Sequence, residues 1–77
     1  MKFFFHVRDI DGYEKDLEGI ELPDLSDAVY EARKAAREMV AEIVLNDEKV
    51  DSRAFEIADG RGMVLATVPF KDVIGLD

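Results

Sequence analysis

The stretch that decides the fold is PDLSDAVYEARKAAREMVAEIVL, residues 23–45. Leu25, Ala28, Val29, Ala32, Ala36, Met39, Val40 and Ile43 recur at steps of three and four, which makes one wide apolar face of an α-helix. The helix is expected from about Leu25 to Leu45. Asp24 or Ser26 can cap its free N–H groups, and the acids near its start suit the positive end of its dipole. Asn46-Asp47-Glu48-Lys49 closes it. The first half of the apolar face is alanine, so the helix can lie close against a sheet. Tyr30, Arg33, Lys34, Arg37 and Ala41 fall on the other side, where Glu38 and Glu42 can pair with nearby bases; this reads as an ordinary helix exterior.

Working outward, each flank reads as a pair of strands. Residues 2–8 are aromatic and β-branched, with Phe3, Phe5 and Val7 on one face and Phe4 and His6 on the other. Asp11-Gly12 is a turn signal, because glycine tolerates the positive φ of a tight hairpin. Residues 13–18 return as a charged edge strand, interrupted by Gly19, after which Ile20 and Leu22 supply buried anchors. Beyond the helix, residues 53–59 and 63–70 form a second hairpin about Asp59-Gly60-Arg61-Gly62. Val64, Ala66, Val68 and Phe70 share one face of its last strand, and Met63, Leu65 and Thr67 the other. Pro69 cannot donate to a ladder, so that strand ends or lies exposed there. Lys71 to Asp77 form a tail with room for one helical turn. The expected architecture is α+β in the order ββαββ: a four-stranded antiparallel sheet with one long helix packed on one face.

Length and composition narrow the function classes. A chain of 77 residues is one domain. With no cysteine there is no disulfide, thiol nucleophile or thiolate metal site. No apolar run nears the roughly 18 residues of a membrane span. The opening Met1-Lys2-Phe3-Phe4-Phe5 meets His6, Arg8, Asp9 and Asp11 too soon for a signal peptide. A cytoplasmic protein without membrane contact is expected.

Charge is unevenly spread. Asp9, Asp11, Glu14, Asp16, Glu18, Glu21, Asp24 and Asp27 face one base, Lys15, so residues 9–27 carry −7 of the formal net charge of −8. Direct nucleic-acid binding is not expected of such a surface, since phosphate contacts need Lys and Arg. A basic protein, or a protein groove that normally holds nucleic acid, is the better partner for it.

Little in the chain suggests catalysis. His6 is the only histidine, and Ser26, Ser52, Thr67, Tyr13 and Tyr30 are the hydroxyl groups. Ser26 is explained by capping and Ser52 by a turn, which leaves no triad to assemble. Counting a calcium loop from Val7 puts Asp9, Asp11, Gly12 and Glu18 at the right offsets. However, Val7 stands where an acid is needed and Lys15 where a ligand belongs. The Asp59–Gly62 turn lacks the lysine and following helix of a phosphate loop. No cofactor, metal or catalytic residue is expected.

Several runs carry a family resemblance: Phe3-Phe4-Phe5-His6-Val7-Arg8-Asp9, Asp16-Leu17-Glu18-Gly19-Ile20-Glu21-Leu22-Pro23-Asp24-Leu25, Ala28 with Glu31-Ala32, Phe55-Glu56-Ile57-Ala58-Asp59, and Gly62 with Val64-Leu65-Ala66-Thr67-Val68-Pro69-Phe70. In this order they resemble a family of small single-domain proteins of unknown function abundant in rhizobia and other alphaproteobacteria. That resemblance covers nearly the whole chain and implies no activity. A looser likeness, confined to Leu22–Ala36, is to HicB-type antitoxin domains, which implies a small basic toxin as partner. The glycine-rich stretch usual before that antitoxin helix is missing here.

One helix can cover only one face of a sheet. With Phe3, Phe5, Val7, Phe55, Ile57, Val64, Ala66 and Val68 beneath the helix, the other face shows Phe4, His6, Ala54, Ala58, Met63 and Leu65. That is more apolar than a solvated face usually is, and such patches mark protein contacts. Homodimerisation through this face is the expectation. Capture of another protein is the alternative, as is a tail that folds Phe70, Val73 and Ile74 over it. A separate alternative is an acidic inhibitor that uses Asp9, Asp11, Glu14, Asp16, Glu18 and Glu21 against a basic protein. The least favoured is an enzyme built on His6.

Overall fold

Helix, hairpins and turns form close to where local pattern puts them, and the differences lie where distant residues meet. The computed structural model describes residues 1–50 and 52–73. Its elements are β1 (Lys2–Asp9), β2 (Gly12–Glu14), β3 (Ile20–Glu21), α1 (Leu25–Leu45), β4 (Ala54–Ala58), β5 (Val64–Pro69) and a closing 3-10 turn (Phe70–Val73). The fold is α+β in the order ββαββ, with one long helix on an antiparallel sheet ordered β2-β1-β4-β5.

The expected second strand, residues 13–18, stops at Glu14; a separate short strand follows Gly19, and its Ile20, expected as a buried anchor, is half exposed. β2 pairs with the end of β1, matching Val7 to Glu14 and Asp9 to Gly12, while β3 pairs with its start, Lys2 to Glu21 and Phe3 to Ile20. Both lie on the same side of β1, and residues 15–19 bridge the gap between them. The side chain of Asp16 fills that gap: Oδ2 accepts the Phe5 N–H at 3.0 Å, where a strand partner would otherwise bond. Its Oδ1 accepts from the N–H groups of Glu18 and Gly19. Gly19 is held at φ 72°, and a Cβ there would come within 2.9 Å of the Phe4 ring and 3.0 Å of the Phe3 carbonyl. Only glycine suits both the conformation and the space.

The helix starts at Asp24, whose side chain accepts the Asp27 N–H. It ends in a left-handed cap: Glu48 N–H bonds to the Ile43 carbonyl and Asp47 N–H to that of Val44, with Asp47 at φ 58°. Ala28, Ala32 and Ala36 are completely buried and form one ridge at four-residue steps. They meet Phe3, Phe55, Ile57, Val68 and Phe70 in the core, with Leu25, Val29 and Met39 packed at its margin.

Two expectations about β5 and the tail need correcting. β4 and β5 pair Ile57 to Ala66 but Ala58 to Val64, so the register shifts by one residue at Leu65. A bulge of this kind reverses the alternation beyond it. Val64 therefore joins Ala58 on the face away from the helix and is exposed, whereas Leu65 is partly buried against the core. The described part of the tail, to Val73, does not cover the outer face either. Phe70 is fully buried in the core beside Phe55, with ring centroids 5.2 Å apart, and Val73 packs against the same cluster. Ile74 and the rest of the expected tail lie outside the described residues.

Candidate functional site

The pairing lays out the outer face as three rows across the sheet. The first is Phe4–Ala58–Val64, the second His6–Glu56–Thr67, and the third Tyr13–Arg8–Ala54–Pro69. The face is more mixed than the sequence pattern implies. Arg8 and Glu56, whose positions alternation already puts there, form an ion pair between rows. The Arg8 guanidinium also lies 4.3 Å from the centroid of the Tyr13 ring. The hydrogen bonds that Arg8 donates to Glu56, with the charge of that carboxylate, raise Arg8 further above its ordinary range, so the pair stays charged.

The residues expected to form a contact fare differently. Phe4 and Ala54 are partly exposed on this face, and Met63 is 63% exposed at the end of the 59–62 turn. Ala58 has no exposed surface and His6 only 6%, so neither can carry a contact. Leu65 is drawn toward the core by the bulge. Val64 and Tyr13 are exposed on the face instead; the alternation of β5 without its bulge hides the first, and the expected edge strand undervalues the second.

His6 is buried because its ring works as a bracket. Its Nδ1 accepts the Asp16 N–H at 3.0 Å, with Phe4 stacked at 6.4 Å and Tyr13 tilted at 5.7 Å. A neutral imidazole that accepts at Nδ1 carries its proton on Nε2. The ring thus offers a donor and no free lone pair, which is the wrong form for abstracting a proton. Asp16 is equally committed. Burial pushes its carboxyl up, but the N–H groups of Phe5, Glu18 and Gly19 outweigh that and hold it below the usual carboxylate range.

A groove of about 290 Å³ opens beside His6, between residues 15–17 and the 59–62 turn, with Phe4, Lys15, Arg61 and Asp59 in its walls. Asp59 is buried and caps its own turn, accepting from the N–H groups of Arg61 and Met63. Pattern reading misses Lys15 and Arg61 as partners in one site. Asp16-Leu17-Glu18-Gly19 is the available signal, since an aspartate three residues before a glycine is a common loop lock.

The acidic segment is partly spent on structure. Asp9 binds Ser52 and Arg53, and Glu21 faces the amino group of Met1 at 3.1 Å. Asp11, Glu14 and Glu18 are exposed and outside every ion pair among the described residues. The calcium-loop spacing does not become a site: Asp9 is taken, and no three His, Asp or Glu side chains gather for a metal among the described residues. A second hollow of about 410 Å³ lies under the β1–β2 hairpin, between Asp11, Glu14, Met39 and the Asp9–Arg53 pair. No helix among the described residues is long and apolar enough to cross a membrane.

Fold and site together define a small α+β domain with one sheet face uncovered among the described residues and a loop locked by an aspartate and a histidine. The chain belongs to the family described as Domain of unknown function (DUF6894), whose model matches residues 2–71. No curated protein and no solved structure matches it.

Proposed function

We propose that this domain is a cytoplasmic, non-enzymatic protein–protein interaction module that pairs with a second copy through the outer face of its sheet. The observation that supports this is a face left uncovered by the described residues: α1 and the closing turn both pack on the opposite side, leaving Phe4 and Val64 in the first row and Tyr13 and Ala54 in the third, on either side of the polar middle row. A two-fold contact sets the same rows against each other, with the Arg8–Glu56 pair fixing register. Met63 adds apolar surface at the rim. Because Leu65 packs inward, Val64→Asp is the informative substitution. Light scattering behind a sizing column should give twice the chain mass at low and high salt for the parent, and the single mass for Val64→Asp with an unchanged far-UV circular dichroism spectrum. A parent that stays monomeric at every concentration, or a variant that pairs as before, overturns the reading.

A second reading rests on Asp11, Glu14 and Glu18, three exposed carboxylates that form no ion pair among the described residues. It makes the hairpin end the docking site for a basic protein. Such binding weakens steeply with salt, whereas contact through the apolar rows does not.

A further inference from the structure

We propose that the groove over His6 binds a small organic carboxylate, received by the His6 Nε2–H and by the cations Lys15 and Arg61. His6 is 94% buried, being only 6% exposed, and its Nδ1 is used by Asp16. Its Nε2–H finds no acceptor among the described residues, and no buried side-chain nitrogen or oxygen among them is left without a partner. The Nε2–H therefore reaches accessible space, and His6 is among the residues that line the groove. A donor held this rigidly in a hollow calls for an acceptor from outside the chain.

The charged groups around it sum to zero, Lys15 and Arg61 against Asp16 and Asp59, and what favours an anion is which of them are already hydrogen-bonded. Asp16 and Asp59 line the groove, but Asp16 is turned to the N–H groups of Phe5, Glu18 and Gly19, and Asp59 to those of Arg61 and Met63. Lys15 and Arg61 form no ion pair among the described residues. Phe4 gives the ligand an apolar wall, and about 290 Å³ sits at the small end of ligand pockets. A compact acid with an apolar body fits this description; a metal ion or an amine meets a donor where it needs an acceptor.

Benzoate is a suitable probe, with benzylamine as its cationic counterpart, at constant ionic strength. In uniformly 15N-labelled protein, benzoate should shift the His6 Nε2–H signals saturably and benzylamine should not. His6→Asn keeps an acceptor for the Asp16 N–H while removing the Nε2–H donor, and should weaken benzoate about tenfold or more. Unchanged amide signals of Phe5, Glu18 and Gly19 verify that the loop is intact in that variant. Arg61→Gln, on an exposed turn, should weaken benzoate several-fold through lost charge attraction. No saturable shift with benzoate, preference for benzylamine, or equal affinity in both variants overturns the proposal. Running the titration in Val64→Asp as well separates acid binding from pairing of the sheet face.

Discussion

At the scale of single residues, the loop from Lys15 to Gly19 is where the fold depends on one side chain at a time. Asp16 replaces a missing stretch of strand, His6 holds the Asp16 N–H, and Gly19 lets the chain pass between the Phe4 ring and the Phe3 carbonyl. A methyl group at Gly19 meets both the steric wall and the left-handed backbone. Gly19→Ala should therefore destabilise the domain by about 1–2 kcal/mol, read as a lowered urea midpoint at constant slope. A neutral result would mean that the loop can lift off β1 at no cost. None of these contacts is visible to local pattern: Asp16 and Phe5 are eleven residues apart, and an aspartate in a charged stretch looks like every other acid around it. The same cause hides the burial of His6, whose alternation places it correctly on the outer face but says nothing of a loop folding beside it.

Elements are more legible, to the degree that their information is local. The period of α1 and its capping residue are both contained in residues 24–45, and the helix has the expected ends. The alternation of β5 reads straight through its bulge, because one residue too many changes no propensity. Only pairing with β4 reveals that Val64 and Leu65 have exchanged faces. The closing cap of α1 offers a test at this scale. Asp47 sits in the left-handed region that glycine occupies more easily, and its negative charge lies near the negative end of the helix. Asp47→Gly should stabilise the domain by about 1 kcal/mol and raise its melting temperature by about 4–8 °C. An unchanged or lower melting temperature would mean that the aspartate side chain makes up its own backbone cost.

For the whole molecule, the carboxylates set the response to acid. Four aspartates sit below the usual range in the folded state: Asp9 mainly through the Ser52 hydroxyl, Asp24 through the Asp27 N–H, Asp59 through the Met63 N–H, and Asp16 through its backbone donors against burial. The unfolded chain binds protons at these groups first. The stability they contribute is thus complete above roughly pH 4–5 and lost as pH falls through the ordinary aspartate value, near 3.9, toward the lower folded ones. Relief of self-repulsion at a net charge of −8 works the other way and is largely screened at physiological salt. Urea midpoints should fall steadily below about pH 4, with a shallower fall in Asp16→Asn. A flat acid limb in the parent would contradict these bonds.

The position of β1 also bears on how the protein is made. Its aromatic strand leaves the ribosome well before its longest partner, β4, which follows the helix in the chain. At roughly 5–20 residues per second, the 44 residues between them, 10–53, take several seconds to emerge. For that time Phe3, Phe4 and Phe5 are a nascent apolar segment with only the short β2 and β3 to pair with, guarded by Lys2, Arg8 and Asp9 at its ends. The newborn chain, more than the finished domain, is the form that invites a chaperone.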